Sequence, residues 1–238
     1  MKKYMRYVFL SAVLSLTLAS CSVYHPQAVG IPLIDHSGDS RIEASASASF
    51  WAAPDALNLN LTATHGFNDY LAGQIHFNYG VDNYYGQVAP GYYLPFSDHG
   101  VFEAYFGYGY GGVNRDSERD DSGDEEDFNG RYHLPFAQIN IGCHDLTGAH
   151  IDLGFGMKVG YFMPDFNYTK IRSNVVTDSE HFTTNHLLFE PQVMVRFGSE
   201  KVRLGINLGF AWLQDFNRDN TQMIFDFLTG SIGLSFSL

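Results

Sequence analysis

The chain has 238 residues, 45% hydrophobic and 16% aromatic, with 24 Gly, 8 Pro and 2 Cys. That balance suits one medium-sized all-β domain, excludes a disordered or fibrous chain and argues against a helical one. Only 17% of residues are charged, so a strongly hydrated surface is not on offer, and a formal charge of −12 repels nucleic-acid backbones and excludes nucleic acid as a partner.

Residues 1–20 open with Met1-Lys2-Lys3-Tyr4-Met5-Arg6, run through an apolar stretch from Tyr7 to Leu18 and reach the small residues Ala19 and Ser20, the layout of an export signal peptide. The stretch Leu18-Ala19-Ser20-Cys21 resembles the bacterial lipobox. The resemblance implies cleavage before Cys21 and a covalent lipid, palmitate included, on that residue. The blander alternative is a plain secretory signal with an incidental cysteine. Ser22, rather than Asp, follows the cysteine, which by the same resemblance implies the outer membrane. With Cys21 lipidated, Cys143 is left without a partner for an intrachain disulfide. It falls in the alternation Ala137, Ile139, Ile141, Cys143 and reads as a small apolar packing residue.

Residues 21–40 hold Pro26 and Pro32 and no periodicity, an extended tether that either packs as a plug or hangs free. Residues 41–238 form the domain. About ten segments there alternate apolar and polar residues with the strand period of two: 42–50, 57–63, 71–79, 84–94, 101–112, 131–143, 151–161, 187–197, 202–212 and 228–238. In the last, Ile232, Leu234 and Phe236 alternate with Ser231, Gly233, Ser235 and Ser237.

Taken up and down, these strands put connections 51–55, 80–83, 113–130, 162–185 and 213–227 on one rim, and the short connections 65–69, 95–100, 144–148 and 198–200 on the other. The expected fold is therefore an all-β, antiparallel, up-and-down transmembrane β-barrel of about 10 strands (8 to 12), with its long loops on one rim. Residues 165–185 either lengthen the neighbouring strands or add a hairpin. The competitor is a lipid-anchored soluble barrel of lipocalin type, whose apolar set would point inward. A polar set of Gly, Ser, Asn and Gln, rather than Lys and Glu, favours the membrane barrel.

Cys21, the stretch Tyr24-His25-Pro26 to Ile31-Pro32-Leu33, Gly38, and the strand Phe136-Ala137-Gln138-Ile139-Asn140-Ile141-Gly142 resemble the small outer-membrane β-barrels of Gram-negative bacteria, and more narrowly the lipid-anchored barrels of the Bacteroides group. The resemblance implies fold and location, with long loops extracellular, and carries over no active-site residue.

Glu103, Asp152, Lys158, Glu190, Arg196 and Arg203 occupy the inward phase, and in so narrow a lumen they read as an ion-pair network that closes it rather than as a selectivity ring. Glu190 is expected to meet Arg203 or Lys158. Between Asn114 and Asn129 lie eight acids; Glu118, Asp120, Ser122 and Asp124 loosely imitate a Ca²⁺ loop, but Asn129 stands where a bidentate Glu belongs, so a solvated surface loop is the simpler reading and no cofactor is required. His144, Asp145, His150 and Asp152 straddle a short turn. A lipid hydrolase or acyltransferase would need a nucleophile, His and acid at one rim, for instance His181 with Glu180 and Thr183 or Thr184, and no nucleophile motif supports them, so the chain is read as a non-enzyme. The expected function is structural or surface interaction, with outer-membrane lipids and an extracellular ligand or protein as partners. A narrow passive channel is the main alternative.

Overall fold

A computed structural model describes residues 29–49, 57–116, 124–146, 150–172, 175–215 and 228–238. Its strands are β1 (Ser40–Ser49), β2 (Asn58–Gly66), β3 (Leu71–Tyr79), β4 (Asn83–Pro95), β5 (Gly100–Asp116), β6 (Asp124–Leu146), β7 (Ile151–Arg172), β8 (Val175–Phe182), β9 (His186–Gly198), β10 (Val202–Phe210), β11 (Trp212–Asp215) and β12 (Leu228–Ser237). Every pairing is antiparallel. Pairing of β1 with β12 and of β7 with β9 closes a ten-stranded barrel with two additional strands.

Register explains the two additions. On β7, the pairing Phe162↔His186 of β9 is followed by Phe166↔Phe182 of β8 without a slip. On β9, Gly209↔Gln192 of β10 is followed by Trp212↔Phe189 of β11, again in step. Thus β8 prolongs β9 and β11 prolongs β10, each across a short break.

The faces are assigned by burial. Ile139 and Ile141 are 44% and 48% exposed, whereas Gln138 and Asn140 beside them are 0% and 1% exposed. The same division holds for Leu59 and Leu61 against Asn58 and Asn60, for Ile75 and Phe77 against Gln74 and His76, and for Val193 and Val195 against Gln192 and Arg196. The apolar set points outward, which overturns the soluble lipocalin-type alternative. A continuous apolar belt of this size is far beyond what a water-soluble surface carries, and polar-in, apolar-out alternation is the membrane-barrel arrangement.

Two expected loops are strands. Residues 113–116 pair with 127–130, from Val113↔Gly130 to Asp116↔Asp127, residues 124–126 pair with β7, and residues 162–172 continue β7, pairing with β8 from Phe166 on. β6 has 23 residues, about twice what a tilted strand needs to cross a bilayer. The physical reason lies in the phase of the pattern. Above Tyr161 the inward positions become apolar (Phe162, Pro164, Phe166) and the outward ones turn polar (Asp165, Asn167), so alternation persists with its sense inverted. Part of the expected loop 213–227 is likewise strand, in β11.

Inversion builds a core inside the projecting end. Tyr85, Val113, Tyr132, Leu134, Phe162, Phe166, Leu188 and Ala211 form a buried cluster, with the Tyr132 and Phe162 rings 4.9 Å apart and Phe128 resting against Phe166 at 5.1 Å. Such tilted pairs add to the stabilisation from area burial.

Candidate functional site in the plugged lumen

Residues 29–34 lie inside the barrel and are buried. The segment climbs from a turn at His36–Gly38, on the short-turn rim, to Val29 deeper in the lumen. Gly38 adopts a φ of +86°, suited to glycine, and its N–H donates to the Gly66 carbonyl at 2.8 Å. Leu33 holds the left-handed region at φ 57°, a strained conformation for a branched side chain. Packing fixes it there: Leu33 is 1% exposed, clustered with Val29, Ile31, Val101 and Met194. Ile34 enters a second cluster with Ala72, Ala89, Tyr93, Tyr105 and Phe136.

With no neighbouring strand to pair with, the backbone of this plug is satisfied by lumen side chains, as buried N–H and C=O groups require. The Gly30 carbonyl accepts from Gln138 Nε2 at 2.8 Å, Asn140 Nδ2 at 3.2 Å and Gln74 Nε2 at 3.3 Å. Val29 N–H donates to Gln192 Oε1 at 2.7 Å and Ile34 N–H to Glu103 Oε1 at 2.8 Å. Arg196 Nη2 donates to the Pro32 carbonyl at 3.1 Å. The amides that the alternating pattern placed inward are thus a receptor for one peptide segment.

The six ionisable lumen residues named from the sequence fall into separate groups. Asp152 sits between Arg196 Nε at 3.2 Å, Arg41 Nη1 at 3.4 Å and Arg203 Nη1. Arg203 also reaches Asp145 Oδ1 at 2.6 Å, and Asp145 holds His150 Nδ1 at 2.9 Å. Lys158 and Glu190 are register partners with Nζ and Oε2 3.8 Å apart; Lys158 also donates to Gln87 Oε1 at 2.9 Å and lies over the Phe136 ring at 5.0 Å. Glu190 therefore meets Lys158, and Arg203 belongs to the Asp152 group. Glu103 makes no ion pair among the described residues: its oxygens accept from Ile34 N–H and from Asn140 Nδ2 at 2.9 Å. Sequence reasoning left out Arg41, Gln87 and the plug contacts, and placed Asp145 in a turn rather than beside Arg203. Arg41 and Gln87 carry a signal, since both sit on the inward phase of their strands.

His144 and Asp145 do gather at the plug turn. His144 Nε2 lies 3.3 Å from Asp35 Oδ2, and Asp35 pairs with His36. Asp35, His36 and Asp39 bring ligand atoms within 4.8 Å of one another, a set able to hold a divalent ion and distinct from the Ca²⁺ loop expected from the sequence. Burial raises the Asp39 carboxyl above the ordinary range; Arg41 opposes the shift and Asp35 reinforces it. Glu118, Asp120 and Ser122, the side chain of Asp124, Cys21 and residues 1–28 as a whole lie outside the described residues. His181 Nε2 faces Asp165 Oδ1 at 2.7 Å, both exposed, so its partner is a carboxylate rather than a threonine hydroxyl.

Glu103, Gln138, Asp152, Lys158 and Arg196 are wholly inaccessible. At their levels the lumen is filled by side chains and plug, a packed interior and not a pore.

No protein-family model matches the sequence, and no curated protein is similar to it. Among solved structures the chain is similar to the translocator domain of autotransporter NalP from Neisseria meningitidis, at 11% identity and a TM-score of 0.41 over 99% of this chain and 95% of that one. It is similar to KdgM porin at 9% identity and 0.37, over 83% and 99%. It is also similar to Ail, the attachment invasion locus protein of Yersinia pestis, at 13% identity and 0.36, over 85% and 99%. At these values the likeness is one of barrel architecture.

Proposed function

We propose that the chain is an outer-membrane barrel lipoprotein, anchored by lipid at Cys21 and closed by its own N-terminal segment, that works through its projecting end and not by conduction or catalysis. The observation that carries this reading is the filled lumen: an apolar-out barrel whose lumen amides and Glu103 bond residues 29–34 and whose Asp152, Lys158, Glu190, Arg196 and Arg203 form ion pairs. A conducting barrel would line its lumen with charges open to water. The β5–β8 sheet continues beyond the apolar belt with polar outward residues and a core of its own, a platform for an external ligand or partner protein. The short-turn rim faces the periplasm and the projecting end the exterior.

The test is electrophoresis of the detergent-extracted mature protein, boiled and unboiled, with membrane fractionation of wild type and Cys21→Ala. A faster unboiled form in the outer-membrane fraction, with lipid labelling lost in the variant and membrane association kept, is the expected outcome. Release of the variant into the soluble fraction would contradict a spanning barrel.

A further inference from the structure

The apolar belt ends on one side of the barrel at an aromatic and histidine row, and a polar pocket opens directly above it. Tyr110, His133 and Met163 are register partners across β5, β6 and β7, with Tyr108 bonded to His133 and the Tyr110 and His133 rings 5.2 Å apart. Aromatic girdles of this kind mark the level where hydrocarbon gives way to headgroups. One step up, Gly112, Arg131 and Asp165 share a row, and above it Asn114, Asn129 and Asn167 share the next. All three asparagines and Arg131 are exposed and point outward. Together with Tyr84, Val113, Gly130 and Asp165 they line an open surface cavity of about 460 Å³.

The pocket's shape follows from its glycines. A Cβ on Gly130 would lie 2.2 Å from the Asp165 carbonyl, so only glycine leaves room for the floor, and one on Gly112 would lie 2.6 Å from the Tyr84 hydroxyl and push that ring aside. Its chemistry follows from the row of amides. Strands stand about 4.8 Å apart, so the three carboxamides span about 10 Å, each offering donors and an acceptor in one plane. Among the described residues no hydrogen bond engages these side chains and Arg131 makes no ion pair; its register partner Asp165, the one carboxylate of the lining, faces His181 Nε2 at 2.7 Å. A line of planar amides with the Asp165 carboxylate matches vicinal sugar hydroxyls, and the Arg131 guanidinium, unpaired among the described residues, matches a phosphate beside them.

We infer that the pocket of Asn114, Asn129, Asn167 and Arg131 binds the phosphorylated sugar headgroup of an outer-leaflet glycolipid, whose acyl chains lie along the apolar belt beneath. The inference rests on the membrane reading above, which fixes the pocket at headgroup level. A lipid, and not a free sugar, is the occupant because the pocket opens sideways over the aromatic row and not into the lumen.

The experiment compares the mature protein with the Asn114→Ala/Asn129→Ala/Asn167→Ala variant and with Arg131→Ala in detergent. Retained lipopolysaccharide is measured by native mass spectrometry against phosphatidylglycerol and against the delipidated core oligosaccharide. Wild type is expected to hold lipopolysaccharide at least tenfold more tightly than either competitor, and both variants to lose at least tenfold while keeping the heat-dependent mobility shift. Equal retention by the variants, or phosphatidylglycerol bound as tightly as lipopolysaccharide, overturns the site. Equal binding of the free oligosaccharide overturns the lipid assignment. Loss of the mobility shift in wild type would instead sink the membrane barrel itself, a separate failure.

Discussion

At the residue scale, the lumen charges are costly to expose singly. Lys158 and Glu190 are 0% and 2% exposed, so removing one partner strands the other's charge in a packed interior. Lys158→Met is expected to destabilise the barrel by about 3–5 kcal/mol, and Lys158→Met with Glu190→Leu to recover most of that loss. The midpoint temperature of the mobility shift would read this out, and a single variant as stable as wild type would refute the pairing. The inward phase of these residues was legible from alternation alone. Of their partners only Glu190 was narrowed, to Lys158 or Arg203, because pairing depends on register across strands distant in sequence: Asp152 opposes Arg196 and Lys158 opposes Glu190 only once β7 is set against β9. Arg41 escaped notice because the alternation was read from Ile42 onward, although extending its phase one residue back places Arg41 inward.

At the element scale, the membrane-crossing parts of the strands were readable wherever apolar residues alternate outward. The projecting parts were not, because the pattern keeps its period and inverts its sense at about Tyr161 to Phe162. The acidic run in β6 looked like a solvated loop because four consecutive acids, Asp124 to Asp127, show no apolar–polar alternation for a strand to be read from. Consequently Phe162, wholly buried in the upper cluster, belongs to a core and not to a loop. Phe162→Ala is expected to cost about 3–5 kcal/mol by the same mobility-shift readout, whereas a loop residue would cost almost nothing.

At the scale of the whole molecule, the N-terminal segment is the piece that the sequence left open between plug and tether. A prolyl stretch without periodicity has no signature for docking, since its binding energy resides in Gln74, Gln138, Asn140, Gln192 and Glu103 on other strands. Seen together, belt, plug and paired charges make a barrel that is closed at rest. The most direct test is planar-bilayer conductance of the mature protein beside a variant lacking residues 29–35. Insertion of wild type without current steps, and discrete steps after deletion, is the outcome expected of a lumen shut by its own N-terminal segment. Steady current steps from wild type, unchanged by the deletion, would show an open pore and contradict the account.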